Sequence, residues 1–227
     1  MMRYFFILFS LFAFSNEKIL VGIHGFMRDK SNMSLFEKEF TKEGWTVYLW
    51  SYPSQMRTIE EHGESLVTLF KYVLQKHPQQ KIHFVTHSLG GVILRAAMNA
   101  SSCSEEIKIG KAVLIAPPNQ GAAYARFLNL FKPFREIAGD YAGKQLLETP
   151  RGGFESLGQF PDTMAIKVIA GTCGFNPVIF EKNDGKVGIS ETRLTTAHEF
   201  TTVVAGHSWI CHTPVVVALA REFFNRQ

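Results

Sequence analysis

Lys81-Ile82-His83-Phe84-Val85-Thr86-His87-Ser88-Leu89-Gly90-Gly91-Val92-Ile93-Leu94-Arg95-Ala96-Ala97-Met98 joins a β-type run to a helical run at a single serine. A serine held on a sharp strand-to-helix turn, with small residues on both sides, becomes an exposed nucleophile. The backbone at such a turn is strained, and the positions two before and two after the serine crowd together, so both must be small. Gly90 meets this fully, while Thr86 stands where glycine is usual. The helix that follows points its free N–H groups and positive dipole end at the serine, where negative charge develops in acyl transfer. The stretch therefore predicts a strand, a nucleophile turn at Ser88 and a helix.

Outward from this unit, β-type runs recur at residues 18–23, 45–50, 81–86, 112–116, 166–171 and 200–205. Most are continuous apolar or β-branched stretches, as expected of strands buried on both faces of a parallel sheet. Helical patterns lie between them. Ser34 with Glu37 and Thr58 with Glu61 each match a capping box and predict helix starts. Ile59, Leu66, Phe70 and Val73 then recur on one face, and Thr213-Pro214 opens a final apolar helix running to Phe223. Strands alternating with helices imply right-handed crossovers and an α/β fold: a doubly wound, mostly parallel sheet of about six strands. Sites in such sheets lie at the carboxyl ends of the strands, and Ser88 follows one directly.

Residues 117–165 hold no clear strand and are rich in Gly and Pro. A helix beside the site is expected first, and a cover or rim over about 119–163. Phe127, Leu128 and Phe131 are the candidate substrate contacts, although the same residues would serve as core.

With 227 residues, 46% hydrophobic and 19% charged, the chain suits one well-buried domain over residues 16–227. The net charge of +4 is scattered along the chain, so nucleic acid is not an implied partner. Arg3 precedes an apolar run over residues 4–14, and Ala13-Phe14-Ser15 offers a cleavage pattern. Residues 1–15 thus read as a signal peptide, with an uncleaved anchor as the alternative, and the protein as exported, periplasmic or secreted. The run is shorter than the roughly 20 residues of a membrane span. Cys103, Cys173 and Cys211 have no zinc-site spacing; they read as one disulfide of unspecified pairing or as buried thiols.

A serine nucleophile needs a base to take its proton and a carboxylate to orient that base. Where the serine sits on such a turn, the chain order is serine, acid, histidine. His207 directly follows the strand at 200–205, where a loop can carry it over the strand ends; His198 precedes that strand and His212 begins the last helix. Asp184, in an Asn-Asp-Gly turn after the strand at 166–171, is the preferred acid, with Glu181 of the same loop as runner-up. Asp162 precedes its strand, and Asp140 has no strand to place it. For the oxyanion, Gly25 allows a sharp turn that offers the Phe26 N–H, and Leu89 supplies a second N–H from the helix start. His24 reads as scaffold.

The chain resembles the α/β-hydrolase superfamily, and more closely its small lipase and esterase branch. The likeness rests on His24-Gly25-Phe26, Tyr52-Pro53-Ser54, Val85 to Gly91, Ala116-Pro117-Pro118-Asn119-Gln120-Gly121, Asp184-Gly185-Lys186-Val187 and Gly206-His207-Ser208. The Ala-Pro-Pro-Asn-Gln-Gly run is similar to that of bacterial lipase- or permease-like hydrolases. The resemblance implies a serine ester hydrolase without metal or organic cofactor, with Ser88, Asp184 and His207 as triad. An ester or lipid substrate and membrane-surface contact are further expectations. Acyl transfer by the same triad, or a non-catalytic lipid- or partner-binding homologue, are the alternatives.

Overall fold

The computed structural model describes residues 17–226; the expected leader over residues 1–15 lies outside them. Its strands are β1 (Ile19–Ile23), β2 (Thr46–Trp50), β3 (Ile82–His87), β4 (Lys111–Ile115), β5 (Ala165–Gly171) and β6 (Glu199–Val203). Each falls on one of the six predicted runs. They form one all-parallel sheet in the order β2-β1-β3-β4-β5-β6. The helices are α1 (Ser34–Lys42), α2 (Ile59–Lys76), α3 (Leu89–Asn99), α4 (Ala123–Leu128), α5 (Lys132–Ala138), α6 (Ala142–Glu148), α7 (Ile189–Thr192) and α8 (Pro214–Asn225).

Alternation along the strands divides the core in two. Leu20, Val85, Val113 and Ile169 face α1 and α8, meeting Phe36, Phe40 and Phe224; Phe40 and Phe224 pack with Trp45 and with each other in edge-to-face or tilted pairs. Val21, Ile23, Phe84 and Leu114 face α2 and α3, meeting Leu66, Phe70 and Val92. Because β1 steps outward to β2 and the chain then returns to place β3 on the other side of β1, the strand order reverses between β1 and β3. A crevice opens at their carboxyl ends, the usual ligand position in an open α/β sheet.

Helix starts follow the sequence in one case and depart from it in another. Thr58 caps α2 with a complete capping box to Glu61. Ser34 caps nothing. A 3-10 turn over Lys30–Met33, capped by the Asp29 carboxylate on the Ser31 N–H at 2.8 Å, runs straight into α1, so Ser34 already has helical angles.

The cover region forms three short helices, α4 to α6, and a 3-10 turn over Gly153–Leu157. The Ala-Pro-Pro-Asn-Gln-Gly run ties it down: Asn119 Nδ2 donates to the Thr192 carbonyl at 2.7 Å, and Gln120 Nε2 to Glu155 Oε1 at 2.9 Å. Arg95 does the same from α3. Fully buried, it donates to the Gly158 carbonyl at 2.6 Å and to Glu155 at 2.9 Å. All three cysteines are free thiols, Cys103 and Cys211 buried and Cys173 exposed. Among the described residues no helix is long and apolar enough to cross a membrane.

Candidate active site

Ser88 follows the last residue of β3 with φ 51° and ψ −123°, a backbone state costly for any side chain. It is held there from two directions. Its N–H donates to the Ile115 carbonyl of β4 at 2.9 Å, and α3 begins flush against the end of β1. A Cβ on Gly90 would lie 2.7 Å from the carbonyl oxygens of both Ile23 and His24, so the position accepts nothing larger than glycine. Thr86, by contrast, is accommodated fully buried below the turn, and the tight approach falls on Gly90 and Gly91. Met27 after β1 (φ 52°) and Ala116 after β4 (φ 48°) share the left-handed strain of Ser88. Three strained non-glycine residues at three adjacent strand ends mark this crevice as the functional end of the sheet.

His207 Nε2 lies 3.1 Å from Ser88 Oγ, and His207 Nδ1 lies 2.7 Å from Asp184 Oδ2. The second Asp184 oxygen accepts from the N–H groups of Lys186 at 3.0 Å and Val187 at 2.8 Å, and the Asp184 carbonyl accepts the His207 N–H at 2.8 Å. The Asn-Asp-Gly turn and the His207 loop are thus one hydrogen-bonded unit, with the Asp184 side chain wholly buried. Glu181 points elsewhere, binding the hydroxyl and N–H of Ser190. His198 and His212 are also apart from Ser88, His198 bound to the Thr196 carbonyl and His212 against Trp209.

Two further histidines support the arrangement. His24 accepts the Tyr52 N–H at Nε2 (3.2 Å), so its Nδ1–H donates to the Gly25 carbonyl at 2.9 Å, and its ring stacks on Tyr52 at 4.2 Å. This is the scaffold role read from the sequence. His87 places Nε2 3.0 Å from the His207 carbonyl and Nδ1 2.8 Å from the Asn32 side-chain amide, pinning the His207 backbone from below. Sequence reading passed over both His87 and Asn32. Nothing in their local pattern signals a contact made 55 residues away.

Burial pushes His24, His62 and His87 below the ordinary histidine range, and His83 down to about 4. The unfolded chain binds protons at these sites from about pH 6.5, while the folded chain stays neutral there. Stability contributed by the neutral imidazoles is therefore complete above that pH and is lost as pH falls toward 4. The urea midpoint is expected to fall between pH 7.5 and pH 5, each histidine contributing up to about 1.4 kcal/mol per pH unit. His83→Gln, which keeps an acceptor for the Lys111 N–H, should flatten that slope; an unchanged slope would count against the linkage.

A cavity of about 330 Å³ opens over Ser88 and His207. Leu128, Phe134, Leu146 and Leu147 from the cover helices form its apolar wall, with Phe26 from the β1 loop. Of the three residues proposed as substrate contacts, Leu128 lines the cavity. Phe127 and Phe131 lie on the outer surface, 39% and 44% exposed, in a ring ladder with Phe134. The N–H groups of Phe26 and Leu89 have no protein acceptor among the described residues, in contrast to the Met27 N–H, which donates to Ser54 Oγ at 2.8 Å. Among those residues no cluster of three metal-ligating side chains occurs.

The family model described as "Putative serine esterase (DUF676)" matches residues 14–128, half of the chain. The chain belongs to this serine esterase family. The matched segment carries Phe26, Ser88 and Leu89 and ends ahead of Asp184 and His207. No curated protein matches by sequence. Among solved structures, lipase BlEst2 of Bacillus licheniformis superposes with a TM-score of 0.77 in its propeptide form and 0.76 in its mature form, at 17% and 16% identity. The alignment covers 93% and 92% of this chain; the chain spans about half (51%) of the propeptide form and 92% of the mature one. Est1E of Butyrivibrio proteoclasticus, solved with ferulic acid bound, gives 0.64 at 16% identity, over 92% of this chain and 89% of that one. Phospholipase PlaB of Legionella pneumophila gives 0.65 at 16%, over 90% and 58%. At these identities the likeness establishes the α/β-hydrolase fold of this esterase-family chain.

Proposed function

We propose that the protein is a carboxylic ester hydrolase that works through an acyl-enzyme on Ser88. The observation that carries this reading is the Ser88 Oγ to His207 Nε2 contact of 3.1 Å on a strained turn, backed by Asp184 at 2.7 Å. In the first half, Ser88 Oγ attacks the ester carbonyl carbon as its proton passes to His207 Nε2. The ester C–O bond breaks, and the imidazolium returns that proton to the departing alkoxide. Water then attacks the acyl-serine and gives a proton to His207, which passes it to the departing Ser88 Oγ as the acyl–oxygen bond breaks, leaving a carboxylic acid and free Ser88. Asp184 holds the Nδ1–H tautomer throughout. The acceptor-free N–H groups of Phe26 and Leu89 are suited to the oxyanion, each such donor being worth about 2.7–4 kcal/mol in the transition state. The apolar wall contributed by α4 and α6 suits an acyl chain.

An alkyl fluorophosphonate tests the reading directly. The reagent should attach once, with the mass shift on the peptide containing Ser88, and should abolish p-nitrophenyl ester turnover in proportion to labelling. Labelling elsewhere, or turnover that survives complete Ser88 modification, refutes it.

A further inference from the structure

The charged side chains that line the Ser88 cavity are Arg28 and Lys186, and no carboxylate shares the lining with them. Neither cation has an acidic partner within ion-pair distance among the described residues. The acid nearest Arg28 in sequence, Asp29, directs its carboxylate to the Ser31 N–H at 2.8 Å. The acid nearest Lys186, Asp184, has its oxygens taken by His207 and by backbone N–H groups.

Both cations are fixed to the site through their backbones. The Arg28 N–H closes the turn after β1 on the Gly25 carbonyl at 3.3 Å, and Gly25 packs against Ser88. The Lys186 N–H donates to the same Asp184 carboxylate that orients His207. The two positive charges bear on each other and on His87, next to Ser88. Both side chains are exposed to solvent; partial desolvation and the neighbouring Arg28 hold the Lys186 ammonium below its ordinary range, with Asp184 opposing the shift.

Resting on the hydrolase reading above, we infer that Arg28 and Lys186 form an anion subsite and that the preferred substrate is an acyl ester whose alcohol part carries a phosphate. The guanidinium offers a planar fork of donors to phosphate oxygens and the ammonium a mobile point charge. The apolar wall takes the acyl chain while the loops after β1 and β5 take the charged alcohol. A neutral ester meets only the wall.

The test compares 1-butyrylglycerol 3-phosphate with 1-butyrylglycerol, both monomeric in water and sharing the acyl group and the scissile bond. The ratio of kcat/KM, phosphate over neutral, should be at least about tenfold in the wild type, fall toward one in R28Q/K186Q, and shrink with added salt. Binding gives a readout that needs no turnover. The Ser88→Ala protein should bind the phosphate ester, and the added R28Q/K186Q changes should weaken it by about tenfold or more. Vesicles of phosphatidylglycerol and phosphatidylcholine separate a subsite from a charged surface. A preference seen only on vesicles, or a ratio near one in the wild type, or a ratio unaltered in R28Q/K186Q, overturns the subsite while leaving the hydrolase intact. Absence of turnover on every ester together with no fluorophosphonate labelling overturns the hydrolase reading instead, and the binding readout then decides the subsite alone.

Discussion

Ser88→Ala should lower kcat/KM for p-nitrophenyl butyrate roughly ten-thousandfold or more, because the alternative is direct attack by water without a covalent intermediate. The fold should survive the change. Alanine carries the same positive φ at the turn as serine, and the contacts that fix the turn are the Ser88 N–H to the Ile115 carbonyl and the close approach of Gly90 to β1. Neither involves the hydroxyl. The thermal midpoint should therefore stay close to that of the wild type. Adding His207→Ala on top should cost little more, since a base with no nucleophile to serve contributes nothing further. Turnover within tenfold of the wild type would mean that another nucleophile does the work.

The second large effect is expected at Asp184→Asn, again about ten-thousandfold. The Asp184 carboxylate has two duties that the substitution separates. One oxygen accepts the Lys186 and Val187 N–H groups, and the asparagine carbonyl retains this. The other faces His207 Nδ1 at 2.7 Å, where the amide NH2 would now donate. The imidazole must then accept at Nδ1 and carry its proton on Nε2, facing Ser88 Oγ. A base already protonated toward the nucleophile cannot take its proton. Stopped-flow kinetics should show acylation slowed with substrate binding retained, and circular dichroism should be unchanged. A loss of less than about tenfold would return Glu181 to consideration, although its carboxylate is held on Ser190.

The sheet was readable from the chain because most strands are apolar or β-branched runs too short for a helix, and the central parallel strands, buried on both faces, leave that mark. The Ser88 turn was readable because it compresses a geometric demand into three or four positions. Asp184 and His207 needed more: their selection depended on strand order, and the hydrogen bond from the His207 N–H to the Asp184 carbonyl is what joins the two loops. The cover region resisted reading for a physical reason. α4 and α5 are six and seven residues long, so fewer than two turns are available to phase a buried face. Phe127 and Phe131 consequently looked equivalent to Leu128, while Phe134 and Leu146 went unnoticed. Ser34 matched a capping pattern in composition, yet the preceding 3-10 turn had already supplied the helical start. Arg95 gave no sign of burial either, because its partners are backbone and side-chain atoms some 60 residues further on.

Ser88 and His207 stand 119 residues apart in the chain, and β4 and β5 separate their strands in the sheet. Under the mechanism proposed here, a growing chain that has already formed the β3 turn carries an inert hydroxyl. Arming waits for β6 to dock on β5, at the edge of the sheet. The same distance runs in reverse. Edge strands open more readily than central ones, so a local opening that releases β6 would disarm the serine while the rest of the sheet stays closed. Docking of the edge strand and the switching on of reactivity are one event.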